Sequence, residues 1–144
     1  MDEHDVDFLD CMERLTAKVQ SRFPGVAFEL QGANDATVVG WFRLSDPARL
    51  QVMVVIDFNG AATIATGEGL VIELYVPSRD PDEIVSQLWS HIAPLGESGV
   101  ELVRTCFPLG RLSPSFVGPP DSDEILRAKR RRLARVVASA GGWR

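Results

Sequence analysis

The stretch that decides the fold is RLQVMVVIDFNG, at residues 49–60. Every second residue from Leu50 to Phe58 is apolar, which is the period of a β-strand with one buried face. Asn59-Gly60 then predicts a tight hairpin, because a type I′ turn needs two residues that tolerate positive φ. We therefore expect a central strand that is followed by an antiparallel neighbour.

The flanking sequence predicts further strands of the same kind. The segments on both sides are short, rich in β-branched and aromatic residues, and separated by turn signals such as Gly32-Ala33-Asn34-Asp35 and Gly67-Glu68-Gly69. Consecutive short strands joined by tight turns are typical of an antiparallel meander. The five predicted strands cover residues 26–31, 37–44, 49–58, 62–66 and 70–76.

Helices are predicted before and after this meander. Apolar residues recur every three or four positions between Phe8 and Val19, which indicates an amphipathic helix from about Asp5 to Arg22. Asp80, followed by Pro81 and Glu83, has the pattern of a helix start, and we expect that helix to end near Ala93, before Pro94.

The remaining chain predicts one more strand and one more helix. A sixth strand is expected from Val100 to Phe107, followed by a Pro-, Gly- and Ser-rich loop at residues 108–120. Asp121 and Glu124 form a capping pair for a final helix that extends to about Ala140.

These elements predict a single α+β domain at residues 1–140, with the order α-β5-α-β-α. It consists of a mainly antiparallel sheet of five to six strands, an N-terminal helix, a middle helix and a C-terminal helix. Residues 141–144, Gly-Gly-Trp-Arg, are predicted to be a flexible tail.

Composition excludes several classes of protein. The chain has 144 residues, of which 45% are hydrophobic and 24% charged, too apolar for a disordered polyelectrolyte and long enough to bury a core. No apolar run approaches the roughly 18 residues of a membrane span, and the acidic N-terminus is unlike a signal peptide, so we expect a cytoplasmic protein. Cys11 and Cys106 lack C-x-x-C spacing, and His4 and His91 belong to no metal-binding motif. We therefore expect neither a cofactor nor a metal.

Charge is distributed unevenly along the chain. The net charge is −5, yet residues 121–144 carry seven basic and three acidic side chains. The basic run Arg127 to Arg135 is predicted to lie on the last helix, where Arg130, Arg131 and Arg132 are candidate contacts for a partner. Because the protein is acidic and its aromatic residues are not interleaved with the basic ones, nucleic acid is disfavoured. Trp143, in the tail, is a further candidate contact.

The second face of the predicted sheet is unusually apolar. Its candidates include Val39, Trp41, Met53 and Val55 at positions where a solvated face would be polar, so we expect something to cover it. Helices of the same chain, a dimer partner, another protein and an apolar ligand are the alternatives. Two acids, Asp57 and Glu73, interrupt this face. A ligand pocket between the curved sheet and a helix would be lined by Trp41, Asp57, Glu73, Tyr75 and His91.

The order of elements is similar in outline to that of small acidic secretion chaperones and bacterial immunity proteins, which bind proteins without catalysis. The sequence contains no nucleophile-elbow or nucleotide-binding motif. Our leading hypothesis is a non-enzymatic protein-binding module, with a protein partner or a homodimer. The alternatives are a small-ligand-binding protein or enzyme, and an adaptor that binds polyanions through its basic C-terminal helix.

Overall fold

The larger of two sheets is a five-stranded antiparallel meander. The computed structural model describes residues 7–34, 36–57, 61–105 and 115–144. Each strand pairs with the next along the chain, so the spatial order equals the sequence order, which confirms the predicted meander. The Asn59-Gly60 turn lies outside the described residues. The strands are β1 (Ala27–Ala33), β2 (Thr37–Arg43), β3 (Gln51–Asp57), β4 (Ala61–Thr66) and β5 (Val71–Tyr75).

Two helices pack together on one face of this sheet. Helix α1 (Phe8–Arg22) begins at Asp7, whose carboxylate accepts hydrogen bonds from the backbone N–H groups of Leu9 and Asp10. Helix α2 (Pro81–Ser98) begins at Asp80, as predicted. Their buried residues form one core with every second residue of β2, β3 and β4, since alternate side chains of a strand point to the same face.

Helix α2 runs one turn further than predicted, past Pro94, and ends where Gly99 caps it. Proline removes one backbone donor and disfavours the preceding turn, which is why we expected an end there. Burial offsets that loss, because Leu95 and Gly96 of the extra turn lie in the core.

A second sheet has three antiparallel strands, with β6 (Val100–Thr105) between β7 (Ser115–Gly118) and β8 (Ala134–Ala140). The expected sixth strand therefore belongs to a sheet of its own. Helix α3 (Asp123–Lys129) packs on this sheet through Ile125 and Ala128, which contact Val103.

The prediction of a C-terminal helix to Ala140 is wrong. Helix α3 ends at Lys129, and the chain returns as β8, which pairs with β6 from Ala134 to Ala140. The loop predicted at residues 108–120 likewise contains β7, while residues 108–114 lie outside the described residues. Pairing with β6 satisfies the backbone of both segments, and local capping signals do not reveal such a distant partner.

The C-terminus is packed, in contrast to the flexible tail that we predicted. Trp143 is 5% exposed, and its indole Nε1 donates to the Leu50 carbonyl at 2.9 Å. Its backbone N–H donates to the Gly96 carbonyl at 2.7 Å, and its ring meets the Phe23 ring edge-on at 5.5 Å. A side chain that fills the core and uses its one polar hydrogen is well placed to anchor the terminus.

Candidate functional site

The face of the large sheet opposite α1 and α2 is the candidate site, and we call it the open face. Alternation in β2, β3 and β4 buries one set of side chains and leaves the other set half-buried. On β5 the same alternation leaves Val71 and Tyr75 exposed, at 56% and 72%. The open face therefore displays apolar side chains on the side of the sheet opposite α1 and α2.

Strand register brings these apolar side chains into adjacent rows. In one row Trp41 pairs with Met53, Met53 with Ala65, and Ala65 with Val71. In the next row Val39 pairs with Val55, which pairs with Thr63. Directly opposite residues on neighbouring strands lie roughly 5 Å apart, so these side chains form one continuous apolar area.

Polar groups border this apolar area on the side of β1. The indole Nε1 of Trp41 donates a hydrogen bond to Oε1 of Gln31, and Arg43 forms an ion pair with Glu29. Gln31 lies at a bulge in β1, between the pairs Leu30–Gly40 and Gly32–Val39. Sequence reasoning did not single out Gln31, and the bulge that positions it has no strong local signal, since it depends on the pairing of β1 with β2.

Asp57 and Glu73 share the open face, on β3 and β5. The Asp57 carboxylate accepts a hydrogen bond from the Thr37 hydroxyl at 2.8 Å, at the end of β3. Glu73 pairs with Thr63 of β4, which lies between β3 and β5. Their backbones are two strand spacings apart, about 10 Å. They are also displaced along the strands, because Glu73 is in register with Val55 and not with Asp57.

His91 does not join the other four predicted ligand residues. It lies in α2, whose buried residues belong to the core on the covered side of the sheet, whereas Trp41, Asp57, Glu73 and Tyr75 are on the open face. A pocket between sheet and helix would need all five on the same side. The structure therefore separates the residue set on which that alternative depended.

The one cysteine among the described residues is a buried thiol. Burial, with a smaller contribution from Asp10, raises the pKa of the Cys11 thiol to about 11, so it stays protonated at neutral pH. Within residues 7–34, 36–57, 61–105 and 115–144, His, Cys, Asp and Glu side chains form no group that could hold a metal ion. Cys106 lies outside these residues.

The predicted partner-binding residues have different environments. Arg130, Arg131 and Arg132 are exposed, but they stand in the turn between α3 and β8 and not on a long helix. Trp143 is buried in the core, so the expectation that it contacts a partner is corrected.

Comparisons of the chain with models of protein families, with curated proteins and with solved structures found no match. Among the described residues, no helix is both long and apolar enough to cross a membrane.

Proposed function

We propose that this protein is a non-enzymatic protein-binding module, that the open face is its binding surface, and that a second copy of the chain covers that face. The observation that carries the proposal is the pair of apolar rows through Trp41, Met53 and Val55. Contiguous exposed apolar surface of this kind marks interaction sites in water-exposed proteins.

The open face has the layout of a protein interface. Its middle consists of aliphatic and aromatic side chains, and charges stand towards its edges, with the Arg43–Glu29 pair on one side and Glu73 on the other. Interfaces bury an apolar centre inside a polar rim, and Trp and Met are enriched in that centre. A two-fold dimer requires a self-complementary patch, and a flat apolar centre fulfils that requirement.

The area is sufficient for a weak to moderate dimer. Five strands at about 4.8 Å and about seven residues at about 3.3 Å give a face of roughly 24 Å by 23 Å. Two such faces bury on the order of 1,100 Å² in total, just above the roughly 1,000 Å² of a specific contact. We therefore expect a dimer whose population depends on protein concentration.

Sedimentation equilibrium or light scattering over a concentration series tests this proposal. The wild type is expected to approach twice its 15.8 kDa mass, and Met53→Lys to stay monomeric, because a buried unpaired charge disfavours the interface. Leu9→Lys, at an exposed position of α1, is the matched control and is expected to dimerise.

Two outcomes would overturn the proposal. One is a wild type that remains monomeric at about 100 µM, which places the dissociation constant above the range of a useful dimer. The other is a dimer that Met53→Lys leaves intact, since the open face would then not be the interface.

A further inference from the structure

A second surface lies at the end of the small sheet, well apart in sequence from the open face. Helix α3 ends at Lys129, and a turn closed by a hydrogen bond from the Ala134 N–H to the Arg131 carbonyl leads into β8. The exposed residues of this turn, together with one arginine each from β6 and β8, form a surface that we call the arginine tip. They are Arg104, Arg130, Arg131, Arg132, Leu133 and Arg135.

Most of the positive charge here has no counter-charge in the structure. Between residues 127 and 135 there are six basic and no acidic side chains. Lys129 forms an ion pair with Glu101, and the guanidinium of Arg131 lies 4.7 Å from the centre of the Phe116 ring. The other four basic side chains form no ion pair with any residue that the structure describes.

The register of the small sheet places two arginines directly opposite each other. Arg104 of β6 pairs with Arg135 of β8, and both side chains are exposed. Like charges at directly opposite positions destabilise a sheet. The hydrogen bond from Arg104 Nε to the Ser115 hydroxyl, at 3.3 Å, leaves this repulsion in place. An external anion that lies between the two guanidinium groups would remove it.

Leu133 has a backbone conformation and an exposure that are both unfavourable for leucine. It is the only non-glycine residue with positive φ, at 64°, in the described part of the chain, and it is 54% exposed. Turns favour Gly or Asn at such a position, because a Cβ atom is disfavoured there. The strained backbone thus presents an aliphatic side chain to the outside, next to three arginines. Val136 and Val137, just beyond it, are also exposed.

We propose that the arginine tip docks the protein on an anionic phospholipid surface, with Leu133 inserted between the headgroups. This role goes beyond the protein binding proposed above and does not use the open face. Arginines attract the phosphates, and aliphatic side chains gain by leaving water for the acyl boundary.

Other anionic partners fit the tip less well. Nucleic acid would leave the aliphatic side chains in water, and among the described residues the ring nearest the tip, Phe116, is already covered by the Arg131 guanidinium. With a net charge of −5, the rest of the molecule is repelled by an anionic surface, which would orient the tip towards it.

Co-sedimentation with vesicles tests the proposal. The full chain is expected to bind vesicles of phosphatidylcholine with about one-third phosphatidylglycerol, and not vesicles of phosphatidylcholine alone. Raising the ionic strength from about 0.1 M to about 1 M shortens the Debye length from about 10 Å to about 3 Å and is expected to release the protein. Replacing Arg130, Arg131 and Arg132 together with Gln is expected to weaken binding about a hundredfold.

Two further variants separate lipid docking from charge attraction alone. Leu133→Asn tolerates positive φ and keeps every charge, so it is expected to fold as well as the wild type yet to bind vesicles about fivefold more weakly. A variant with Gln at Arg14, Lys18 and Arg22 changes the net charge equally on exposed positions of α1, and is expected to bind like the wild type.

Three results would overturn the proposal. They are failure of the wild type to bind anionic vesicles, unchanged binding of the triple-Gln tip variant, and unchanged binding of Leu133→Asn. In the last case, equal affinity for an oligonucleotide of similar charge would identify the tip as a general polyanion site.

Discussion

The two faces of the large sheet come from the same strands but have different environments. On the covered face, Phe42, Val52 and Val54 are fully buried beneath α1, α2 and the docked C-terminus. On the open face, the intervening Trp41, Met53 and Val55 are also apolar but stay partly exposed. Strand alternation thus divides the side chains into two sets, and the packing of other elements decides which set forms the core.

The largest effect should come from the two tryptophans that belong to opposite faces. Trp143→Ala is expected to destabilise the fold by about 3–5 kcal/mol, because it empties a buried site and leaves the Leu50 carbonyl without its donor. Trp41→Ala, on the open face, is expected to lower stability by only about 1 kcal/mol at protein concentrations where the chain is monomeric. Urea unfolding measures both values.

Similar losses of stability for Trp143→Ala and Trp41→Ala would contradict the assignment of the two side chains to a covered and an open face. They would mean either that the C-terminus contributes little to the core or that the open face is covered within one molecule.

The next largest loss of stability is expected where α2 lies close to the C-terminal residues on the covered side of the sheet. A Cβ atom at Gly96 would lie 2.6 Å from the Phe23 ring and 2.8 Å from the Trp143 ring. Gly96→Ala is therefore expected to cost about 1–3 kcal/mol through overpacking, although alanine is the better helix former. Thermal unfolding measures it.

The matched control is Gly67→Ala, where the added Cβ would meet nothing within 4 Å. A stabilising Gly96→Ala would show that the tail does not pack against α2 in solution.

Two neighbouring valines of β3 allow the two faces to be compared with the same side chain and the same substitution. Val54 is fully buried, whereas Val55 lies on the open face. Val54→Ala is expected to destabilise by about 2 kcal/mol, and Val55→Ala by less than about 0.7 kcal/mol in the monomer. Chemical denaturation at low protein concentration gives both values, and the reverse order would exchange the two faces.

The buried thiol of α1 makes the stability of the fold depend on pH. The pKa of Cys11 is raised from 9.0 to about 11 in the folded chain, so the folded state holds this proton more tightly than the unfolded chain. Stability from this group is complete below pH 9 and is lost as the pH rises towards 11, by about 1.4 kcal/mol at pH 10.

Unfolding of the wild type and of Cys11→Ala at pH 8 and at pH 10 checks this prediction. Cys11→Ala lacks the thiol, so the wild type should lose about 1.4 kcal/mol more than the variant over this range. Parallel losses would show that Cys11 is accessible to solvent.

Sequence patterns were most informative where neighbours along the chain pair with each other. The meander, the start of α2 at Asp80 and the apolar character of the open face all follow from local alternation, turn residues and capping. Of the predicted ligand residues, the four on β2, β3 and β5 do share one face, whereas His91 does not. A helix gives no sequence signal for the side of the sheet on which it packs.

The C-terminal third shows where local patterns fail. The sequence of residues 134–140 is compatible with a helix or a strand. It forms a strand because it pairs with β6, which lies about 30 residues earlier in the chain. Gly-Gly-Trp-Arg has the composition of a tail, yet Gly142 and Trp143 dock where Gly96 leaves room for them.

By itself, the sequence determined the unequal distribution of charge, which residue identities give directly. It also determined the five-stranded meander and the two long helices, because these depend on contacts between residues near each other in the chain. Tertiary structure alone decided that α1 and α2 pack on the face opposite the open face, that Trp143 belongs to the core and that Arg104 stands opposite Arg135. These outcomes depend on distant segments, whose contacts are set by burial and backbone pairing of the whole chain.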